Sequence, residues 1–414
     1  MAQDSESRWL KGEQRGLLDG VPVTIKENVA TQGQAVPLGT AASQLTPAGA
    51  DAPPAARLRE AGAVFVAKTT MPDYGMLSSG LSSFHALARN PWNLQNNPGG
   101  SSAGAGAAAA AGYGPLHLGT DIGGSIRLPA SWCGVVGLKP SHGRVPIYPP
   151  FIGRVAGPMA RSVSDVAWMM ETLSRPDWRD ATSLPFAPLP WTDLEGAEPQ
   201  PMLKGKKIGL WLDAGWGMPV QADVRAAVMG AAQVLEAAGA QIQEVPAFTD
   251  AGVAEGINRF WRLRSWLEIS ALPPERQERV LPFIRAWVAE AAQYSTAQAF
   301  HGFNQMGVLR DAASTACQPF DYVISPVAPL SAFAATWAMP SNDPGNAMAH
   351  IAFTLPFNMS GQPAISVPCA GPALTNPVGL QIIGRCHDDI GVLRVARAFE
   401  QLRGQLPPWP QPPA

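Results

Sequence analysis

Short apolar runs rich in Val and Ile recur along the chain and alternate with longer stretches of helical periodicity. The runs predict strands at residues 21–25, 63–67, 115–120, 207–212, 241–245, 321–325, 364–368 and 378–383. Runs that are apolar on both faces mark strands buried on both faces, as in a largely parallel sheet. Helices are predicted over residues 53–61, 102–112, 164–174, 224–239, 253–272, 274–294 and 390–402. Residues 53–61 and 224–239 stop at or before a glycine, a common helix C-terminal signal. Ser162 with Asp165 gives an approximate capping box. The alternation predicts a single large α/β domain over 1–414, with a mixed, mostly parallel central sheet covered by helices. Its punctuated, glycine-rich parts, 20–170 and 320–400, form the expected core. The mostly helical 213–315 is expected to cover the same sheet, 175–205 to be a surface excursion, and the Pro-rich 406–414 to lie extended.

Composition narrows the function. Net charge is −2 over 414 residues, which argues against a general nucleic-acid or anionic-membrane surface. Four scattered cysteines without a CxxC pair give neither a disulfide framework nor a zinc site. They fit a reducing, cytoplasmic compartment. The polar start, MAQDSESRWLKGEQRG, has no apolar signal core, and no run is long enough to span a bilayer. Thirteen tryptophans are present, eight of them between residues 160 and 290. They read as core packing or as the wall of an apolar pocket.

Two glycine–serine blocks carry the densest chemical signal. One runs from Asn97 to Gly106 into an Ala-rich helix; the other is Gly119-Thr120-Asp121-Ile122-Gly123-Gly124-Ser125-Ile126-Arg127. Paired glycines let backbone N–H groups converge on one point, where they can bind a developing oxyanion. A serine ending such a nest is a candidate nucleophile. Other readings fail on context. No lysine completes a P-loop. The segment before Gly104 is a turn and not the strand a dinucleotide site needs. No GxSxG elbow surrounds Ser125. The six histidines show no metal-ligand spacing and no triad context. A serine without a histidine needs another base, and a desolvated lysine can serve. Lys26 ends an apolar strand, where it is either that base or a surface lysine paired with Glu27.

These blocks, together with Gly20-Val21-Pro22-Val23-Thr24-Ile25-Lys26-Glu27-Asn28, resemble the catalytic segments of the amidase signature family. The spacings match as well: 75 residues from Lys26 to Ser101 and 24 from Ser101 to Ser125. The segments DYVISPVAP (from Asp321) and Gly361 to Gly384 resemble its C-terminal strands. The resemblance implies the amidase signature fold and a Ser–cis-Ser–Lys triad. In it Ser125 is the nucleophile, Ser101 the bridging serine after a cis Gly100–Ser101 peptide, and Lys26 the base. The N–H groups of Ile122, Gly123, Gly124 and Ser125 would form the oxyanion hole. Tyr74 to Ser79 resembles the segment lining the pocket, which nominates Gly75 and Met76 as substrate-binding residues. Ser102 is assigned as a substrate-binding residue too, or as a helix N-cap supporting Ser101. Asp121 and Arg127 read as structural neighbours, and Lys139 as a surface or structural lysine. No cofactor or metal is implied. The expected partner is a small-molecule amide, without nucleic acid or membrane, and a homodimer is allowed. The family usually has a helical segment ahead of its first motif, and only nineteen residues precede Gly20 here. The expected activity is amide hydrolysis through a seryl acyl-enzyme, extending to esters or carbamates. The alternatives are an inactive ligand-binding scaffold and a glutamine-hydrolysing amidotransferase subunit.

Overall fold

A computed structural model of the chain describes residues 1–194, 199–369 and 376–411. Residues 195–198 of the expected surface excursion, 370–375 of the C-terminal segment and 412–414 of the tail lie outside the described residues. Ten strands form one sheet: β1 (Pro22–Lys26), β2 (Val64–Thr69), β3 (Leu116–Asp121), β4 (Val136–Lys139), β5 (Val155–Ala160), β6 (Lys207–Leu210), β7 (Gln241–Glu244), β8 (Tyr322–Pro326), β9 (Ala364–Pro368) and β10 (Gly379–Ile383). Their order is β2-β1-β3-β5-β4-β9-β10-β8-β6-β7.

The mixed α/β sheet is as expected, but its parallel majority is not. Parallel pairing is confined to the two ends, β2-β1-β3 and β8-β6-β7. The five central pairings, from β3 through β8, are antiparallel. Helices cover both faces, so β3, β5, β8, β9 and β10 are buried at every position. Such strands show unbroken apolar runs whatever their direction, so the pattern carries no sign of orientation.

Strands β4 and β5 escaped the sequence pattern, and packing explains why. A Cβ on Gly157 of β5 would lie 2.2 Å from the Leu138 carbonyl oxygen, and one on Gly137 of β4 would lie 2.7 Å from Ala130 Cβ. The helix Arg127–Trp132 crowds Gly137, and the neighbouring strand with Pro140 crowds Gly157, so both positions need glycine, which hides these strands from a search for Val and Ile runs. Two helices of ten or more residues were also missed, besides short ones such as Arg127–Trp132 and Leu355–Met359. Thr296–Cys317 begins at a full Ser295/Gln298 capping box but has only a weak apolar stripe. Ala2–Lys11 is polar and is held by Asp19, which accepts from Ser5 Oγ at 2.6 Å and from Arg8 at 2.6 and 2.7 Å. The helix expected over 274–294 breaks at Pro282 into separate turns.

The largest core cluster joins the helices Pro53–Glu60, Val163–Leu173, Ala222–Ala237 and Asp389–Leu402 to one face of the sheet. On the opposite side Ala105, Ala109, Ile126, Ala130 and Cys133 pack the Ala-rich helix Ala103–Ala111 against Arg127–Trp132. The helices Ala251–Ser270 and Thr296–Cys317 pack together over that side, joined to Trp132 through Ile257, Met306 and Leu309. The tail is extended yet pinned, with Trp409 beneath Arg161 and beside Trp92. Among the described residues, no helix is long and apolar enough to cross a membrane.

Candidate active site

Lys26 closes β1, flanked on either side by β2 and β3. Strand alternation turns Ile25 into the core and Lys26 to the opposite face, where the glycine–serine segment lies. The side chain is fully buried. It makes no ion pair with Glu27, whose Oε2 meets His85 at 2.7 Å instead. The amine donates to three hydroxyls: Ser101 Oγ at 2.8 Å, Ser102 Oγ at 3.1 Å and Thr120 Oγ1 at 3.1 Å. Burial, with a further push from the Arg154 charge, brings its pKa down to about 7. An ordinary lysine is almost wholly protonated at neutral pH, whereas this one is near its midpoint there.

The peptide between Gly100 and Ser101 is cis. Gly75 lies against Ser101, and a Cβ there would sit 3.3 Å from Ser101 Oγ. Ser102 occupies the N-cap position of Ala103–Ala111, but its hydroxyl caps nothing. It is fully buried and tied to Lys26 and to the Thr120 backbone, so it faces the lysine and is walled off from the open cavity. That position departs from the substrate-contact role expected for Ser102, because the hydroxyl has no free face.

Ser125 lies in the turn between β3 and the helix Arg127–Trp132. Asp121 organises this turn. Its carboxylate accepts from the N–H of Gly124 at 2.8 Å and of Ile126 at 3.1 Å, and from both Nε and Nη2 of Arg127. Burial alone would raise its pKa, but the Arg127 charge and these donors outweigh it and hold the group well below the usual carboxylate range. Arg127 reaches on to Gln381 Oε1 at 2.7 Å and the Thr354 carbonyl at 2.9 Å, and Asn358 also donates to Asp121. Both partners of the pair are fully buried. This web modifies the expected oxyanion hole. The Gly124 N–H is already donated to Asp121. Among the described residues, no hydrogen bond takes up the N–H of Ile122, Gly123 or Ser125. Gly124 serves the turn through its conformation, with φ at +122°.

Two cavities meet at Ser125. The tighter, about 110 Å³, is walled by Met76, Trp261, Trp287, Met339, Met348 and Ile351, with Gly123 at its base. Its polar inner edge is Ser78, whose hydroxyl pairs with the buried His350 Nε2 at 2.7 Å. The wider, about 630 Å³, adds Ser101, Thr120, Asn28 and Arg154. Gly75, Ile122, Ser125, Arg264 and Glu268 border both. The two readings of the tryptophans therefore divide the set. Trp191 and Trp211 are core, Trp261 and Trp287 line the tighter cavity, and Trp178 is exposed.

Thr120 stands inside the second glycine–serine block without having been singled out, and Thr354, Asn358, Gln381, Arg154, Arg264 and Glu268 had no signal of their own in the sequence. They come from distant segments that only the fold brings together. Lys139 is fully buried, which settles its structural reading over the surface one. Among the described residues, no group of three or more His, Cys, Asp or Glu is placed to hold a metal ion.

A family model described as Amidase matches residues 1–393. The chain is 34% identical over 434 residues to a glutamyl-tRNA(Gln) amidotransferase subunit of Synechococcus sp. (strain CC9605), covering 94% of this chain and 84% of that one. Among solved structures, a bacterial aryl acylamidase of the amidase signature enzymes superposes with a TM-score of 0.86 at 29% identity, covering 97% of this chain and 86% of that one. The glutamyl-tRNA(Gln) amidotransferase subunit of the same kind from Thermotoga maritima gives 0.76 at 29% identity, covering 97% and 88%. With nearly the whole length matched in sequence and in fold, the chain belongs to the amidase signature family.

Proposed function

We propose that this protein is a cytoplasmic amidase that hydrolyses a carboxylic amide to an acid and an amine or ammonia, with Ser125 as nucleophile, Ser101 as bridge and Lys26 as base. The observation that carries the reading is the 2.8 Å contact between a fully buried Lys26 and Ser101, at a cavity that Ser101 and Ser125 share. Neutral Lys26 takes the Ser101 proton as Ser101 takes that of Ser125. The Ser125 oxygen adds to the amide carbon, and the carbonyl electron pair becomes an oxyanion facing the N–H groups of Ile122, Gly123 and Ser125. Loss of one such donor typically costs about 2.7–4 kcal/mol. The proton returns through Ser101 to the leaving nitrogen as the C–N bond breaks. Water then repeats the relay on the acyl-enzyme and releases the acid. The apolar wall of Met76, Trp261, Trp287 and Ile351 favours an apolar acyl group.

A glutamine-hydrolysing amidotransferase subunit is the second reading. The names of the sequence relatives favour it, as does the Arg264–Glu268 pair at 3.3 Å, whose two charges complement an α-amino acid. Labelling with a fluorophosphonate and mapping the adduct tests the nucleophile: the adduct is expected on Ser125 and absent from Ser125→Ala. An adduct on another serine, or wild-type turnover by Ser125→Ala, would refute the assignment. Hydrolysis of a nitroanilide by the isolated chain supports the first reading. Turnover of glutamine alone, and only once partner subunits have been supplied, supports the second.

A further inference from the structure

The Arg154 guanidinium is one charge at the nucleophile that the relay does not use. It lines the wider cavity together with Ser101, Thr120 and Ser125. Arginine keeps its charge at any working pH and offers five donors in a planar fork. Among the described residues the only hydrogen bond the Arg154 side chain makes is a long one, 3.5 Å, from Nη1 to the Pro149 carbonyl, and no carboxylate there pairs with it. The acids nearby are occupied. Asp121 is taken up by Arg127 and two backbone N–H groups, and Glu268 pairs with Arg264. Arg264 itself lies over the Phe151 ring. Arg154 is thus half-buried at the cavity wall, where the Arg264 charge opposes its own and Glu268 offsets part of that. The free donors of Arg154 face the cavity and are open to a ligand carboxylate, which the planar guanidinium can hold by two bonds.

The two cavities also fix which half of a substrate meets it. The leaving nitrogen must receive its proton from Ser101, so it lies on the Ser101 side of the scissile bond. Ser101 and Arg154 line the wider cavity and not the tighter one. The acyl group is left to the apolar cavity, next to the Gly123 N–H. We propose that the amine half of the substrate carries a carboxylate that pairs with Arg154, so that the enzyme takes N-acyl amino acids or similar amides with an apolar acyl group. The inference rests on the amidase reading above and narrows its substrate class.

The test uses the full-length Ser125→Ala protein, which binds without turning over. It is titrated calorimetrically with N-phenylacetylglycine and with the uncharged N-phenylacetylglycinamide. A charge-assisted, two-point contact predicts a roughly 10- to 100-fold preference for the carboxylate. Adding Arg154→Gln is expected to abolish that preference, and Arg154→Lys to keep part of it. Melting curves confirm that each variant is folded, and the lysine variant keeps the comparison open should the glutamine variant not fold. Equal affinity for the two ligands, or a preference that survives Arg154→Gln, overturns the proposal. Wild-type hydrolysis of uncharged phenylacetamide, measured separately, tests the amidase reading on its own. The enzyme can pass that measurement and still show no carboxylate preference.

Discussion

Replacing Lys26 by methionine probes the base directly. Methionine keeps the length and apolar volume of the side chain and deletes only the amine. The fold is expected to survive. Ser102 retains its two bonds to the Thr120 backbone, and removing an amine that is fully buried also removes the cost of burying its charge. General-base catalysis contributes about 10²- to 10⁴-fold, equivalent to about 2.7–5.5 kcal/mol at 1.36 kcal/mol per tenfold. That loss is expected in kcat/KM with a much smaller change in KM. The pH profile gives a sharper signature. In the proposed mechanism the active form of Lys26 is the neutral one, and burial lowers its pKa to about 7. Wild-type kcat/KM is therefore expected to rise with pH, level off above about 7, and stand on the order of 100-fold below the plateau at pH 5. The methionine variant should lose this limb as well as the rate. Nitroaniline release from an anilide between pH 5 and 10, normalised to folded protein, reads both. A variant within tenfold of wild type, or one that keeps an acid limb centred near 7, would refute Lys26 as the base.

Other perturbations address the surroundings of the nucleophile. Asp121→Asn leaves Arg127 buried without its counter-charge, and the urea midpoint should report a loss of about 3–5 kcal/mol, since both partners are fully buried. A loss below 1 kcal/mol would show that the pair does not hold the turn. Gly124→Ala forces a side chain onto a φ of +122° and sets its Cβ 2.6 Å from Thr354 Oγ1, so fluorophosphonate labelling of Ser125 should fall at least 100-fold in rate. Labelling at the wild-type rate would exclude a role for this geometry. Arg154 lowers the Lys26 pKa while Asp121 and Glu27 raise it. Arg154→Gln should therefore move the acid limb to higher pH, and an unmoved or lower midpoint would contradict that coupling.

How far the sequence carried the fold depended on what each element buries. Strands β8 and β9 announce themselves because apolar residues fill most positions on both faces, and β1 because Val23 and Ile25 alternate on its core face. Strands β4 and β5 do not, because Ala130 of the helix carrying Arg127 packs against Gly137, and the Leu138 carbonyl with Pro140 packs against Gly157, where a side chain would otherwise stand. The site followed the same division. Ser101 and Ser125 lie in segments whose glycine spacing is itself unusual, so the local chain draws attention to them, whereas Lys26 ends an ordinary apolar strand and reads locally as a surface lysine as readily as a base. Arg154 sits in the unremarkable Phe151-Ile152-Gly153-Arg154 stretch and gains its meaning only from the cavity it enters. The assignment of the Gly124 N–H could not be read locally either, because whether a donor is free depends on where the Asp121 carboxylate turns.

The two buried lysines show what separates a base from a buried amine. Lys26 and Lys139 are both fully enclosed, and burial brings each down to about 7. A lowered pKa therefore does not distinguish them. Lys139 donates to the Pro140 carbonyl at 2.9 Å, an acceptor with no proton to give, and it borders neither cavity at Ser125. Lys26 donates to hydroxyls, which can return a proton along the same line, and one of them, Ser101, lines a cavity with Ser125. Deprotonation of Lys139 has nowhere to lead, whereas in the proposed mechanism deprotonation of Lys26 readies an acceptor for the proton that Ser125 would lose. Burial sets the basicity of both amines, but only Lys26 has hydroxyl neighbours, one of them on the cavity that Ser125 shares, through which the proposed relay connects that basicity to a substrate.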